Sequence, residues 1–375
     1  MSDLIRQGVL TAGRQLPPER ELAGSFDISR STVRRALKKL EVNGLLTCRH
    51  GSGYWVAQTP DRPVAGSAGR TVAVVSITPN IPESVRLRSA VEGHVQFCVE
   101  QELHRAGLHV LNLHPDTLCD DGLEGLRALR PAAVILTTVA VSSYGERLLP
   151  LCRACGVPVV TNSHEPLVED CFRVLHDHAA GSEWLTRQMI AQGRERIVPV
   201  FPGTESGWKR ARLEGYERAM RDAGLSPIEP IWIPMLDRSL VEHDPSQAER
   251  ICAGYLHDRV GPRVAAPTDG LLVATDLMAS RVASACLSLG LGLDELPAIT
   301  GYDNAFESIR LPTSLAGWRP LATVDKRNTE IATGLVELSR SAMRQPTSEP
   351  VTRVVAPSRI AAEQIAWPGP DTHST

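Results

Sequence analysis

No stretch of this 375-residue chain stays apolar long enough to cross a bilayer, and no apolar N-terminal segment ends in a small-residue cleavage site. Both absences argue against a membrane span and a secretory leader, so the expected compartment is the cytoplasm. The eight cysteines are scattered without the spacing of a disulfide framework and read as small buried side chains. Cys152 and Cys155 form a C-x-x-C, but no second pair at zinc spacing follows, so no metal site is expected there. His176 and His178 flank Asp177, and adjacent positions on one element do not converge on an ion, so they read as surface or core histidines. Enzyme signatures are missing too: no Walker loop, no G-x-S-x-G elbow and no convincing lysine motif for pyridoxal phosphate. The chain reads as a non-enzyme without a cofactor.

What is present is an uneven charge. The net charge is −3, yet residues 1–58 hold nine Lys or Arg against five Asp or Glu, while the remainder holds 31 against 38. A basic head on an acidic body places the phosphate-attracting surface locally. Basic side chains on one helix face are equally what an ordinary solvated surface shows, and it is the regional surplus that favours nucleic acid.

The head supplies the geometry. Between Ser29 and Leu40, at about 100° per residue, Val33, Ala36, Leu37 and Leu40 gather on one side of a helix and Arg30, Arg34, Arg35 and Lys38 on the other. Ser29 suits the N-cap, and Gly44 suits the left-handed position that ends a helix. Pro17, Pro18 and Glu19 start a preceding helix that turns Leu22 and Ala23 inward, and the short turn Gly24 to Ile28 fits a helix-turn-helix. Such a helix enters a major groove, where Arg30 and Arg34 suit guanine edges while Ser31, Thr32, Arg35 and Lys38 suit phosphates. Two short strands, Leu45 to Arg49 and Tyr54 to Ala57, joined at His50-Gly51-Ser52-Gly53, make a wing with His50 at its tip. No helix opens after Gly-Ser-Gly, which argues against a nucleotide-phosphate cradle.

The runs LPPERELA, ISRSTVRRAL and GLL followed by HGSGYWV resemble the winged helix-turn-helix of the GntR family of bacterial transcription regulators. The resemblance implies DNA contacts by Arg20, Ser29, Arg30, Ser31, Thr32, Arg34, His50 and Gly51. One departure is a first helix of barely two turns, where the family usually has a longer one. Residues 58–70, rich in Pro, Gly and small polar residues, read as a linker. The expected layout is a winged helix-turn-helix at 1–57, a linker at 58–70, an effector domain of two lobes at 71–367 and a tail at 368–375.

From Thr71 onward, apolar runs alternate with amphipathic segments: TVAVVSI, HVLNLH, AAVILTT, PVVTNS, RIVPVF, PIWIP, GLLVATD, ITGYDN and LATVD, with helices expected near 84–106, 144–155, 207–223, 245–256 and 277–289. Continuous apolar strands imply an α/β body whose parallel sheets are covered on both faces, and more than eight of them suggest two lobes. Ligands of such sheets sit beyond the carboxyl ends of strands. Those ends are polar here: Ser76 and Thr78, Thr137 and Thr138, Asn162 and Ser163, Thr275 and Asp276, Asp303 and Asn304.

The blocks R-L-x-G-Y at Arg212 to Tyr216, GLLVATDLMA, ITGYDN and LATVD resemble the effector domain of LacI/GalR regulators, which is itself similar to periplasmic sugar-binding proteins; with a GntR-type head, the whole resembles the arabinose-repressor subfamily. The resemblance implies ligand contacts by Arg212 and Asp276, with a residue near Ser76 joining them, and places Lys326 where the family often has Gln. A guanidinium fork and a carboxylate together suit the vicinal hydroxyls of a sugar or polyol. Trp208, one turn before Arg212, either stacks on a sugar ring or belongs to the core. Arg212 could instead form a plain salt bridge between lobes, and Asp303 either lines the cleft or caps the next segment.

The leading expectation is therefore a dimeric regulator that binds double-stranded operator DNA and answers to a small polar effector. The prolines of the linker, Pro60 and Pro63, argue against a helix there that would enter the minor groove, so coupling is expected to run through head placement. A periplasmic solute receptor is the alternative, opposed by the basic head and the missing leader. An aminotransferase-type body is opposed by the length and the missing lysine motif.

Overall fold

The computed structural model describes residues 13–25, 29–42, 46–49, 53–56, 70–76, 92–233, 244–309, 311–345 and 349–367. The chain divides into two compact units, Met1–Ala68 and Gly69–Thr375.

In the first unit, α1 (Glu19–Ser25) follows the two prolines and carries Glu19 and Glu21 in its first turn, at the positive end of the helix. Ser29 stands just ahead of α2 (Arg30–Val42), and its Oγ accepts the Thr32 amide at 3.2 Å, which satisfies one of the free donors of the helix start. Strands β1 (Leu46–Arg49) and β2 (Gly53–Val56) pair antiparallel from Leu46↔Val56 to Arg49↔Gly53. The segment before α1 zips onto β2, with Leu16 N donating to Tyr54 O at 2.8 Å and Val56 N to Arg14 O at 2.8 Å. Leu16, Leu22, Val33, Leu37, Leu46 and Val56 close one small core. Each such side chain contributes about 1.5–3 kcal/mol on burial, a large share of what a unit this size can hold.

The second unit contains two six-stranded sheets. The first has the order β13-β7-β6-β5-β3-β4, all parallel, from β3 (Thr71–Val75), β4 (His109–Leu113), β5 (Ala133–Leu136), β6 (Val159–Thr161), β7 (Phe172–His176) and β13 (Thr352–Val355). Its strands read continuously apolar because both faces are covered. Val72 and Val74 pack toward α3 (Glu92–Arg105) and α10 (Asn328–Arg344), while Ala73 and Val75 pack toward α4 (Pro115–Leu129) and α5 (Thr138–Ala154).

The second sheet has the order β14-β12-β11-β10-β8-β9, from β8 (Ile197–Pro202), β9 (Ile231–Ile233), β10 (Gly270–Val273), β11 (Ala298–Thr300), β12 (Ala322–Asp325) and β14 (Ser358–Ala361). Its first five strands in chain order are parallel, and β14 joins β12 antiparallel, a departure from the all-parallel expectation. Ile197 faces a core shared with α6 (His178–Ala191) and α7 (Gly207–Asp222), and Val198 faces one shared with α8 (Pro245–Leu256) and α9 (Asp276–Ser288).

The chain passes between the sheets three times: from β7 into α6, from β12 into α10, and from β13 into β14. Hydrogen bonds tie these crossings together. Asp177 N donates to Val355 O at 2.9 Å, and the His176 ring lies 3.0 Å through Nδ1 from Lys326 O. Helices α6 and α7 approach so closely that a Cβ on Gly215 would meet the Ala179 carbonyl, so the glycine of the R-L-x-G-Y block sets the position of Arg212 three residues earlier.

Candidate DNA-reading face and effector cleft

On the head, Arg20, Ser29, Arg30, Ser31, Thr32, Arg34 and Lys38 are all exposed. The Ser29 hydroxyl lies 2.8 Å from those of Ser31 and Thr32, so the start of α2 presents a small ordered hydroxyl cluster beside Arg30. Arg34 is not a free fork. Its Nε donates to both carboxylate oxygens of Glu19 at 3.1 Å and its Nη2 to Oε2 at 2.8 Å, so an acid on α1 orients an arginine on α2. The Arg34 hydrogen bond holds the Glu19 carboxyl below its ordinary range. The expected sites His50, Gly51, Thr78 and the Arg35 side chain lie outside the described residues.

In the body, the strand-end residues of both sheets come together as a buried polar layer. Ser76, Thr137, Asn162, Ser163 and His176 end strands of the first sheet; Asp276, Asp303 and Lys326 follow strands of the second, and all are buried. Arg212 is buried on α7, its guanidinium 3.4 Å from the centre of the Tyr302 ring and 4.6 Å from that of Trp208. In its own plane, Nη1 donates to Ala274 O at 2.5 Å and Nε to His178 Nδ1 at 3.3 Å. The His178 Nδ1 is therefore an acceptor, and the ring is neutral with its proton on Nε2. Trp208 is half-buried, edge-on to Phe201 at 6.2 Å, and serves the core and Arg212 at once.

Arg212 and Asp276 are not hydrogen-bonded to each other. Asp276 is consumed within its own lobe, accepting from Thr323 Oγ1 at 2.7 Å and from Ala305 N at 2.6 Å, and burial raises its carboxyl well above the ordinary range. Nor does Arg212 form a salt bridge between lobes among the described residues. Asp303 instead pairs with Lys326 at 2.6 Å, with both side chains buried, as an internal ion pair.

Nor are the histidines isolated. The rings of His176 and His178 lie 5.4 Å apart, and His164 lies 4.9 Å from His178. Burial pushes His164 down to about 4 and His176 and His178 well below the ordinary value, so all three are neutral near pH 7. Their sequence separation hides this cluster, and only the alternation of strand and crossing brings His164 to His178.

No group of three metal-ligating side chains occurs among the described residues. Cys152 is buried and its thiol is pushed up to about 12 by burial, the opposite of a reactive cysteine. No described helix is long and apolar enough to cross a membrane.

The chain matches family models in three stretches: bacterial regulatory proteins of the gntR family at residues 1–56, periplasmic binding proteins and sugar binding domain of the LacI family at 94–249, and the periplasmic binding protein-like domain at 186–362. It is 23% identical over 312 residues to the arabinose metabolism transcriptional repressor of Halalkalibacterium halodurans, covering 81% of this chain and 78% of the relative. It is 40% identical over 75 residues to the Uxu operon transcriptional regulator of Escherichia coli K12, but spans only 29% of that protein and 18% of its own length. Among solved structures, the lac repressor dimer bound to operator and an anti-inducer gives a TM-score of 0.59 at 13% identity, over 84% of this chain and 100% of that one. The CelR regulator in complex with cellobiose gives 0.58 at 19% identity, over 93% and 100%. At these identities the structural likeness establishes the fold, while the family matches establish the head. The chain is a transcription regulator, not an enzyme, built from a gntR-family helix-turn-helix joined to a periplasmic-binding-protein-like domain of the LacI type.

Proposed function

We propose that this regulator is a repressor that works in the cytoplasm as a homodimer, binds a palindrome-like operator through two heads, and is controlled by a sugar-like ligand between the lobes of its body. Arg30 and the oriented Arg34 read base edges, while Arg20, Ser29, Ser31, Thr32, Arg35, Lys38 and the wing tip at His50 and Gly51 hold the backbone. In the cleft, Arg212, Asp303, Lys326 and Trp208 face the ligand, with Ser76 at its far wall and Thr78 assigned to the ligand from the sequence pattern alone, and Asp276 braces the loop after β11.

The observation that supports this reading is the polar layer where the carboxyl ends of the two sheets meet, stitched across the crossings by His176 and Lys326. A ligand bridging that layer biases the angle between lobes, and a coupling of about 1–3 kcal/mol is enough to change operator affinity several-fold.

The test is selection of bound duplexes from a random pool by the full chain. Two inverted half-sites centred about one helical turn or a small multiple apart are expected. Enrichment of no sequence at all would remove the operator reading.

A further inference from the structure

We infer that Glu165 is a latch between the two lobes, whose carboxylate caps helix α7 from across the lobe boundary and holds the lobes closed on each other. This rests on the two-lobed regulator proposed above and adds a contact that sets its lobe angle. Glu165 lies in the loop after β6 in the first lobe, whereas α7 follows β8 in the second, and neither belongs to a crossing. The amide of Gly207, the first residue of α7, donates to Glu165 Oε1 at 3.1 Å.

The start of α7 depends on the other lobe. Its own N-cap residue, Ser206, makes no side-chain cap bond, and the Ser206 Oγ is buried without a partner. A helix start left so has free amide donors and a positive end, and the acid that meets it comes from the first lobe. Position 207 also has no room for a side chain, since a Cβ there would strike the carbonyl of His164 and the amide of Glu165. The lobes therefore touch backbone to backbone. Two residues on, Lys209 donates to the carbonyls of Pro202 at 2.7 Å and Thr204 at 2.5 Å. Burial pushes its ammonium down to about 8, and the Glu165 carboxylate opposes that shift. The loop that carries the latch is held by its own bonds: Ser163 N donates to Thr161 Oγ1 at 3.1 Å, Glu165 N to Ser163 Oγ at 3.2 Å and Val168 N to Glu165 O at 3.2 Å. Parting the lobes breaks a charge-assisted hydrogen bond and uncaps the helix that carries Trp208 and Arg212.

The experiment measures the distance between lobes in the full chain by double electron–electron resonance, with spin labels on encoded non-natural residues at positions 146 on α5 and 214 on α7, both exposed. Glu165→Ala removes the cap and should raise the ratio of open to closed lobes about fivefold, without any added ligand. Glu165→Gln, which keeps an acceptor but not the charge, should fall between Glu165→Ala and wild type. Hydrogen exchange at the Gly207 amide should quicken in the same order. Faster exchange with an unchanged distance would make Glu165 a local cap and overturn the latch, and so would no change in either readout. Operator affinity measured in parallel separates the two readings: a wider distance that leaves it unchanged upholds the latch and removes the link from lobe angle to the heads.

Discussion

Replacing Lys326 with Met keeps most of the side-chain volume and removes one charge of a buried pair. The partner, Asp303, is left with its carboxylate out of water and its 2.6 Å contact gone. Breaking one side of such a pair typically costs about 3–5 kcal/mol, because the remaining charge loses its nearest compensation rather than because the pair itself was strongly stabilising. For a unit of this size that corresponds to a drop on the order of 10 °C in unfolding temperature, read by calorimetry on the ligand-free chain as a shift of the body's transition. The double variant Lys326→Met with Asp303→Asn removes both charges. Asn suits the positive backbone angle of position 303, where φ is 105°, so the double variant should recover most of the loss. A single variant within about 1 kcal/mol of wild type, or a double variant no better than the single, would refute a buried, desolvated pair.

Other outcomes follow from the same geometry. Arg30→Ala should lose about 1–3 kcal/mol of preference for the selected operator, whereas Lys38→Ala should weaken all duplexes alike and flatten the salt dependence, both measured by fluorescence anisotropy across a salt series. Glu19→Gln releases Arg34 and should blur half-site preference more than it changes total affinity, checked by repeating the duplex selection. The three buried histidines are neutral when folded, so their stabilising effect is complete above the unfolded value near 6.5. It is lost as pH falls toward the depressed folded values, by about 1.4 kcal/mol per pH unit for each histidine. Asp276, raised, acts in the opposite sense from about pH 3.8 upward, so the histidine contribution is read as the difference in denaturant stability between wild type and His164→Asn from pH 7 to 5. Gly215→Ala pushes a methyl against the Ala179 carbonyl and should cost about 1–3 kcal/mol, seen as a lower unfolding midpoint.

The parts of this architecture visible in the sequence are those with local causes. The helix over Arg30–Val42 shows through its apolar face and Ser29 cap, and the central strands show as unbroken apolar runs because both faces are covered. Helix 245–256 is bracketed by the Asp244 cap and Pro245 and falls where the pattern puts it. The edge strands β13 and β14 were not visible: the residues of β13 are largely exposed and those of β14 mostly half-buried, and the chain changes sheets between them, so they resemble a loop. Strand β7 and helix α6, around the His-Asp-His run, were missed for a related reason, since polar residues at a crossing break the apolar signal. The motif blocks single out Arg212 and Asp276, and the strand ends Asp303, but neither signal could tell which acid is spent inside its own lobe. That depends on Thr323 and Ala305, which reach Asp276 only after β11 and β12 align. The histidine cluster likewise depends on contacts that no local period encodes.

The most direct test of the account is the affinity of the full chain for its selected operator, measured with and without a ligand that binds the body. The account requires a change of about fivefold or more, in either direction, that disappears in Arg212→Gln. A ligand that saturates the body and leaves operator affinity unchanged would contradict it.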